Sequence, residues 1–298
     1  MLNWIYFVLI SQGIWSVTSL IDKIVISKGY IRNPLVYIAL NGFMNVLLIF
    51  LLPFVGFGPL SFMDFSIVML SGALFTASVI LYYNAVQHDE ISRVAMLFQL
   101  APVFVLTLSY LILGEKLTQN HFAGFFLLLS AGVIVSYKGA GIRLSRTFYY
   151  MLASAVLGAA SFVAAKHIFD STSFWNAFVW LRLSGFTSLF ALLSPSVRNE
   201  FFNTFKIMKN RIRGLLCFKM IVDFSSFVFA GYAIINAPAI ALISALASSI
   251  QPVFIFILTL FTSIYFPRII KEGLDKRSLL TKLLAIALII TGIIFINL

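Results

Sequence analysis

The chain has 298 residues, 61% of them hydrophobic and only 10% charged, with a mean hydropathy of +1.03. A soluble domain carries about 25% charged residues, so this composition excludes a water-soluble globule and requires a surface that faces lipid. The net charge of +11 does not point to nucleic acid, because the basic residues sit in short loops between apolar runs, with no zinc-finger spacing and no basic-aromatic tract.

About 20 residues of helix, rising 1.5 Å each, cross the hydrocarbon core, and lipid offers no partner to an open strand edge. Cutting at charged and turn-forming clusters predicts ten transmembrane helices, near 3–26, 34–53, 65–86, 92–113, 120–138, 147–168, 174–194, 214–236, 239–266 and 279–298. The first run has no basic residue before Lys23 and no small-x-small cleavage site, so a permanent span is expected rather than a secretory leader. The breaks are ISKGYIRNP, PFVGFGPLSFMD, QHDE, LGEKLTQN, YKGAGIRLSR, HIFDSTS, the long charged stretch PSVRNEFFNTFKIMKNRIR, NAP and PRIIKEGLDKR. The stretch at about 195–213 is read as a loop.

The two halves overlay. GIWSVTSLIDK (13–23) falls on VLGAASFVAAK (156–166), placing Lys23 on Lys166, and YYNAVQHDEISRVAMLFQLAPVF (82–104) falls on YAIINAPAIALISALASSIQPVF (232–254). The extra positions between these matches fall in the loop 195–213, where insertion is tolerated. The expected fold is therefore an all-α integral membrane protein of two five-helix repeats, 1–140 and 141–298. Five is odd, so the second repeat runs in the opposite sense, the inverted arrangement of many secondary transporters. Eighteen lysines and arginines fall on the side reached after spans 1, 3, 5, 7 and 9, against Lys116 and Lys166 opposite. By the positive-inside rule both termini are expected outside the cytoplasm, in a multi-pass protein of the cell membrane.

QLAPVFVLTLSYLILGEKLTQNHFAGFFLLLSAGVIVSYKG (99–139) resembles the end of an EamA repeat of the drug/metabolite transporter superfamily. The marks are a proline-bearing fourth helix, the Gly114-Glu115 pair, and a fifth helix with Gly124 and Gly132-Val133. SFVAAK (161–166) and the arginine of WLRLSG resemble the opening of the second repeat. The second repeat departs from the pattern: YFPRIIKEGLDKR lacks the Gly-Glu pair, and Arg182 has Ala39 as its counterpart. The resemblance implies a transporter of amino acids, drugs or other metabolites, without fixing which.

Arg182 is the sharpest single feature, mid-span where a charge costs about 2.5–3.5 kcal/mol. Asp223 is the other deep charge. Counted from their common end, Arg182 and Asp223 lie roughly 18 and 14 Å deep, so the two are expected to meet near the midplane. Two readings stand: an ion pair that holds two spans together, or a cation facing an anionic solute with Asp223 setting its charge or accepting a coupling proton. Gln99 and Gln251, beside Pro102 and Pro252, are expected to line the cavity, as are Tyr82, Asn84, Tyr232 and Asn236 at the ends of the third spans. Trp180, with Trp15 and Trp175, is a stacking candidate. Each proline withdraws a backbone donor, orphaning the carbonyls of Phe98 and Ser248, so both helices are expected to form cavity wall. Asp22 and Lys23 read as interfacial charges, and Glu115 as a loop acid or helix cap.

Cys217 is alone and His88, His121 and His167 are scattered, so no metal site is expected. No G-x-x-x-x-G-K-[ST] motif is present, and no nucleophile and base converge at depth, so neither nucleotide hydrolysis nor enzymatic activity is expected. The reading is a cofactor-free secondary transporter, an exporter or exchanger, of a small polar or amphipathic solute by alternating access, driven by a proton gradient, by solute exchange or by the solute's own gradient. The alternative is a flippase-like carrier of a lipid-linked head group. The expected partners are the solute and the bilayer, with no nucleic acid, and the chain working as a monomer or homodimer.

Overall fold

The computed structural model describes residues 3–27, 30–31, 33–46, 56–88, 94, 97–136, 146–265 and 276–297, and all regular structure among them is helical. In chain order the elements are α1 (Asn3–Ser27), α2 (Pro34–Val46), α3 (Phe62–His88), α4 (Ala101–Leu108), α5 (Gln119–Ser136), α6 (Arg146–Ser171), α7 (Phe174–Leu183), α8 (Pro195–Ile207), α9 (Asn210–Asn236), α10 (Ile240–Tyr265) and α11 (Lys276–Asn297). Among the described residues six segments are long and apolar enough to cross a membrane: Trp4–Asp22, Phe62–Ala85, Arg146–Ser171, Phe174–Leu193, Asn210–Asn236 and Ile240–Leu258. Four shorter apolar helices accompany them, Pro34–Val46, Ala101–Leu113, Gln119–Ile134 and Leu283–Ile296. Large apolar side chains such as Phe126, Phe190 and Ile290 point outward. The chain is an all-helical, multi-pass membrane protein.

Three local departures from the sequence reading have physical causes. The stretch expected as a loop at 195–213 contains helix α8. Ser194 is extended, Pro195 occupies the first helical position, where its missing N–H costs no bond, and Val197 and Phe201 supply a buried stripe. The fourth run is not one helix with a proline inside. Residues 99–100 form a turn and α4 starts at Ala101, so Pro102 sits in a first turn and orphans no interior carbonyl. Beyond Leu183 the seventh run tightens into a 3-10 helix, Ser184–Leu193. That is far longer than the usual few residues. Ser184, Thr187 and Ser188 each donate a hydroxyl to the carbonyl three residues back, on Leu181, Ser184 and Gly185.

Small and hydroxyl residues set the packing. A Cβ on Gly42 would stand 2.9 Å from the Gly185 carbonyl, and one on Gly72 would stand 2.7 Å from Ser184 Cβ, so α2 and α3 approach the 3-10 segment backbone to backbone. Gly124 and Gly292 do the same for α5 and α11. α3 packs on α6 through a reciprocal serine clasp, and α1 on α9 through a one-way one. Ser78 Oγ donates to Ser154 O at 2.8 Å while Ser154 Oγ donates to Ser78 O at 2.9 Å. Ser226 Oγ donates to Ser11 O at 3.0 Å, with the two hydroxyls 3.3 Å apart. The charges used for orientation at Lys28, Arg32, Arg93, Lys138, Arg143, Arg268 and Lys271 lie outside the described residues, as do Asp89 and Glu90.

Candidate functional site

Four helix segments bring the deep charges to one seam. Asp22 lies in the closing turns of α1, Tyr37 and Asn41 in the opening turns of α2, and Lys219 and Asp223 one turn apart on α9. Lys219 Nζ is buried 2.6 Å from Asp223 Oδ2, 3.5 Å from Asp22 Oδ1 and 3.0 Å from the Asn41 side-chain oxygen. The Tyr37 hydroxyl donates to Asp22. Tyr82 and Tyr83 on α3 stand within electrostatic reach of Asp22. A cleft lined by Asn33, Pro34, Leu35, Ile38, Ile80, Tyr83 and Asn84 opens at the same end. An ammonium taken out of water loses several kcal/mol of hydration, which two carboxylates and an amide oxygen offset here. The cluster is thus a charged lock joining α1, α2 and α9.

Arg182 lies deeper. Its guanidinium sits 3.5 Å above the Phe227 ring, whose other neighbour is Trp15 at 5.3 Å between centroids. Asp223 acts on it electrostatically, but among the described residues no carboxylate lies within ion-pair distance of it. The expected direct meeting of Arg182 with Asp223 therefore does not occur, because Lys219, one turn before Asp223, takes the carboxylate. Cation–π contact with Phe227 replaces part of the lost hydration.

Toward the opposite end, where α1 begins and α9 ends, aromatic rings close the seam. Tyr232 stacks on Phe174 at 4.1 Å and on Phe7 at 5.5 Å, and Phe178 meets Phe224 edge-on at 5.3 Å. Read back along α1 from its end, the order is Asp22 of the charged lock, Trp15 beside Phe227, Ser11 of the serine clasp and Phe7 of the aromatic stack.

The structure distributes the remaining expected residues differently. Gln99 Nε2 reaches the Ser248 carbonyl at 3.4 Å. That is the carbonyl Pro252 frees inside α10. A glutamine of the first half thus answers the proline of the second, and Gly132 leaves it room, since a Cβ there would stand 3.0 Å from Gln99 Cδ. Gln251 is half-buried on α10. Trp180 turns away from Arg182: its indole N–H donates to Gly58 O at 3.1 Å and its ring packs on Phe57 and Phe65. Asn236 is exposed and its amide donates to Tyr232 O at the end of α9. Tyr232 belongs to the aromatic stack, and Tyr82 and Asn84 lie at the lock end.

Glu115 takes the helix-cap reading. Gly114, at φ 67°, ends the π-turn Ser109–Leu113 in the left-handed region that glycine favours. The turn it makes sends Glu115 to the start of α10, where its carboxylate accepts the Ile240 N–H at 3.0 and 3.2 Å. Burial pushes this carboxyl above the ordinary glutamate range, outweighing the lowering effect of the Ile240 N–H.

Lys219 is the residue that sequence reasoning misplaced, by counting it among the charges near a helix end. Its signal was the four-residue spacing to Asp223, which puts both side chains on one helix face.

The model of the EamA-like transporter family matches residues 2–137. No curated protein matches the chain. A crystal structure described only as that of a protein is 16% identical, with a TM-score of 0.66 over 97% of this chain and 98% of its own. At that identity the likeness shows the fold alone. Over residues 2–137, then, the chain matches the EamA-like transporter family.

Proposed function

We propose that the chain is a secondary transporter of a small solute bearing a carboxylate or another anionic group, which binds at Arg182. One observation carries this reading: Arg182 is a deep cation without a carboxylate partner among the described residues, although Asp223 stands nearby, already committed to Lys219. An anion at Arg182 would neutralise it where water is scarce, and intramembrane charges of this kind mark solute pathways.

The frame for movement is ten spans in two inverted repeats, 1–140 and 141–298, with the four shorter apolar helices crossing as well. Exchange of the halves sends α1 to α6, α3 to α9 and α4 to α10. Under it the α1–α9 pair becomes α6–α3, and α1–α10 becomes α6–α4; all four pairs are in contact. A serine clasp occurs in each of two of these pairs, Ser11–Ser226 and Ser154–Ser78, although in the register that sets 82–104 on 232–254 Ser78 falls on Val228. The charged lock has no mate, because in that register Met69 and Ala73 stand where the second half has Lys219 and Asp223. In alternating access the lock closes the cytoplasmic mouth and the aromatic stack the outer one, with both termini outside the cell membrane. Asp223, paired with Lys219 and acting electrostatically on Arg182, is assigned the coupling role.

Uptake into proteoliposomes of a panel of carboxylate solutes and their neutral amides tests the assignment. The wild type is expected to prefer the carboxylates at least tenfold, and Arg182→Gln to lose that preference with its fold intact. Equal preference in both proteins overturns the assignment.

A further inference from the structure

We infer that α8 and the turn after it form an interfacial site for anionic phospholipid at the lock end of the protein. The α8 helix is tied close to the membrane on both sides. Only Ser194 separates it from the preceding span, and only Met208 and Lys209 separate it from α9. Its inner edge is fixed by buried Val197 and Phe201. Arg198, Phe202 and Lys206 follow one another at four-residue spacing and are all exposed, so a phenyl ring stands between two cations along one row. Phe202 is 61% and Ile207 79% exposed. In water such side chains would be unfavourable; at the boundary of headgroups and acyl chains the ring is buried and the cations meet phosphate.

The charge balance selects the kind of lipid. Arg198, Lys206, Lys209 and Arg211 are exposed. Glu200, the one acid in 195–213, is turned inward by the Asn33 amide at 2.8 Å. Arg213 is spent locally, donating to Phe205 O at 2.8 Å and lying 5.5 Å over the Phe205 ring. Beside Lys209 a groove between Tyr30, Ile207, Met208 and Ile212 runs along the start of α9. Its walls are mostly hydrocarbon, suited to the upper part of an acyl chain while Lys209 holds the phosphate. A zwitterionic headgroup offers no net charge to this cluster, and a free phosphate offers nothing to the groove.

The full-length protein with Cys217→Ser tests this in two ways. A spin label at Phe202→Cys, in nanodiscs of phosphatidylcholine with phosphatidylglycerol, is expected to collide with oxygen and to be shielded from an aqueous nickel chelate. A label open to the chelate overturns the interfacial placement. In detergent, phosphatidylglycerol is expected to raise the thermal midpoint, while phosphatidylcholine and inorganic phosphate do not. Lys206→Gln, Lys209→Gln and Arg211→Gln together are expected to weaken that response about a hundredfold in lipid concentration. An equal rise with phosphatidylcholine, an equal rise with phosphate, or an undiminished response in the triple variant overturns the proposal. Both wild-type midpoint comparisons and the label stand even if the triple variant does not fold.

Discussion

Removing the Lys219 ammonium would leave Asp22 and Asp223 facing each other without a counter-charge in a half-buried site. Breaking a buried pair costs about 3–5 kcal/mol, so Lys219→Met is expected to lower the thermal midpoint sharply. Adding Asp22→Asn and Asp223→Asn to that variant should recover most of the loss, because the stranded charges are gone. An unchanged midpoint in Lys219→Met would mean that the lock is hydrated and contributes little. Glu115 gives a prediction of opposite character. Its carboxyl is held above the ordinary value of 4.5, so between that value and its folded one the folded protein binds more protons than the unfolded chain. Stability from this group therefore falls as pH rises through that window. Glu115→Gln, which keeps an acceptor for the Ile240 N–H, is expected to flatten the pH dependence of the thermal midpoint, and an unaltered slope would contradict this. At this scale Arg182 and Asp223 were legible as charges amid apolar residues. Their separation was not, since it depends on Lys219 arriving first at the carboxylate, which only side-chain geometry decides.

Helix pairings depend on where a Cβ is missing. Gly72→Ala would set a methyl 2.7 Å from Ser184 Cβ, and overpacking of this kind costs typically about 1–3 kcal/mol. Gly214→Ala, with nothing within 4 Å of the new atom, serves as the control and should be neutral or slightly stabilising. Equal midpoints for the two variants would contradict the close α3 contact. Most helices were readable as apolar runs bounded by charge. α8 was hidden because its composition is polar, although Ser194-Pro195 and the spacing of Val197 and Phe201 announced it. The two prolines looked alike in sequence and differ in consequence: Pro102 opens a helix, whereas Pro252 interrupts one and leaves Ser248 to be met by Gln99. Sequence gave the position of each ring but not the phase at which the helix began.

For the whole molecule, the match of the halves was visible in residues 82–104 and 232–254, and it is the sequence basis of the proposed repeats. What the match could not reveal is the asymmetry of the two ends of the α1–α9 seam, one carrying the charged cluster and the other the stacked rings. If Asp223 couples proton movement, Asp223→Asn should retain solute exchange at equal pH on both sides yet lose acceleration by a pH gradient. Retained acceleration would remove Asp223 from the coupling role. Alternating access itself is tested most directly by thiol access at the two mouths of a Cys217→Ser protein in proteoliposomes. Single cysteines replace Ile38, beside the lock, and Phe178, in the aromatic stack; both positions are buried. Transported solute is expected to change their alkylation rates in opposite directions, one mouth opening as the other closes. Rates that rise together, or that ignore solute in a protein that still transports it, would contradict the account.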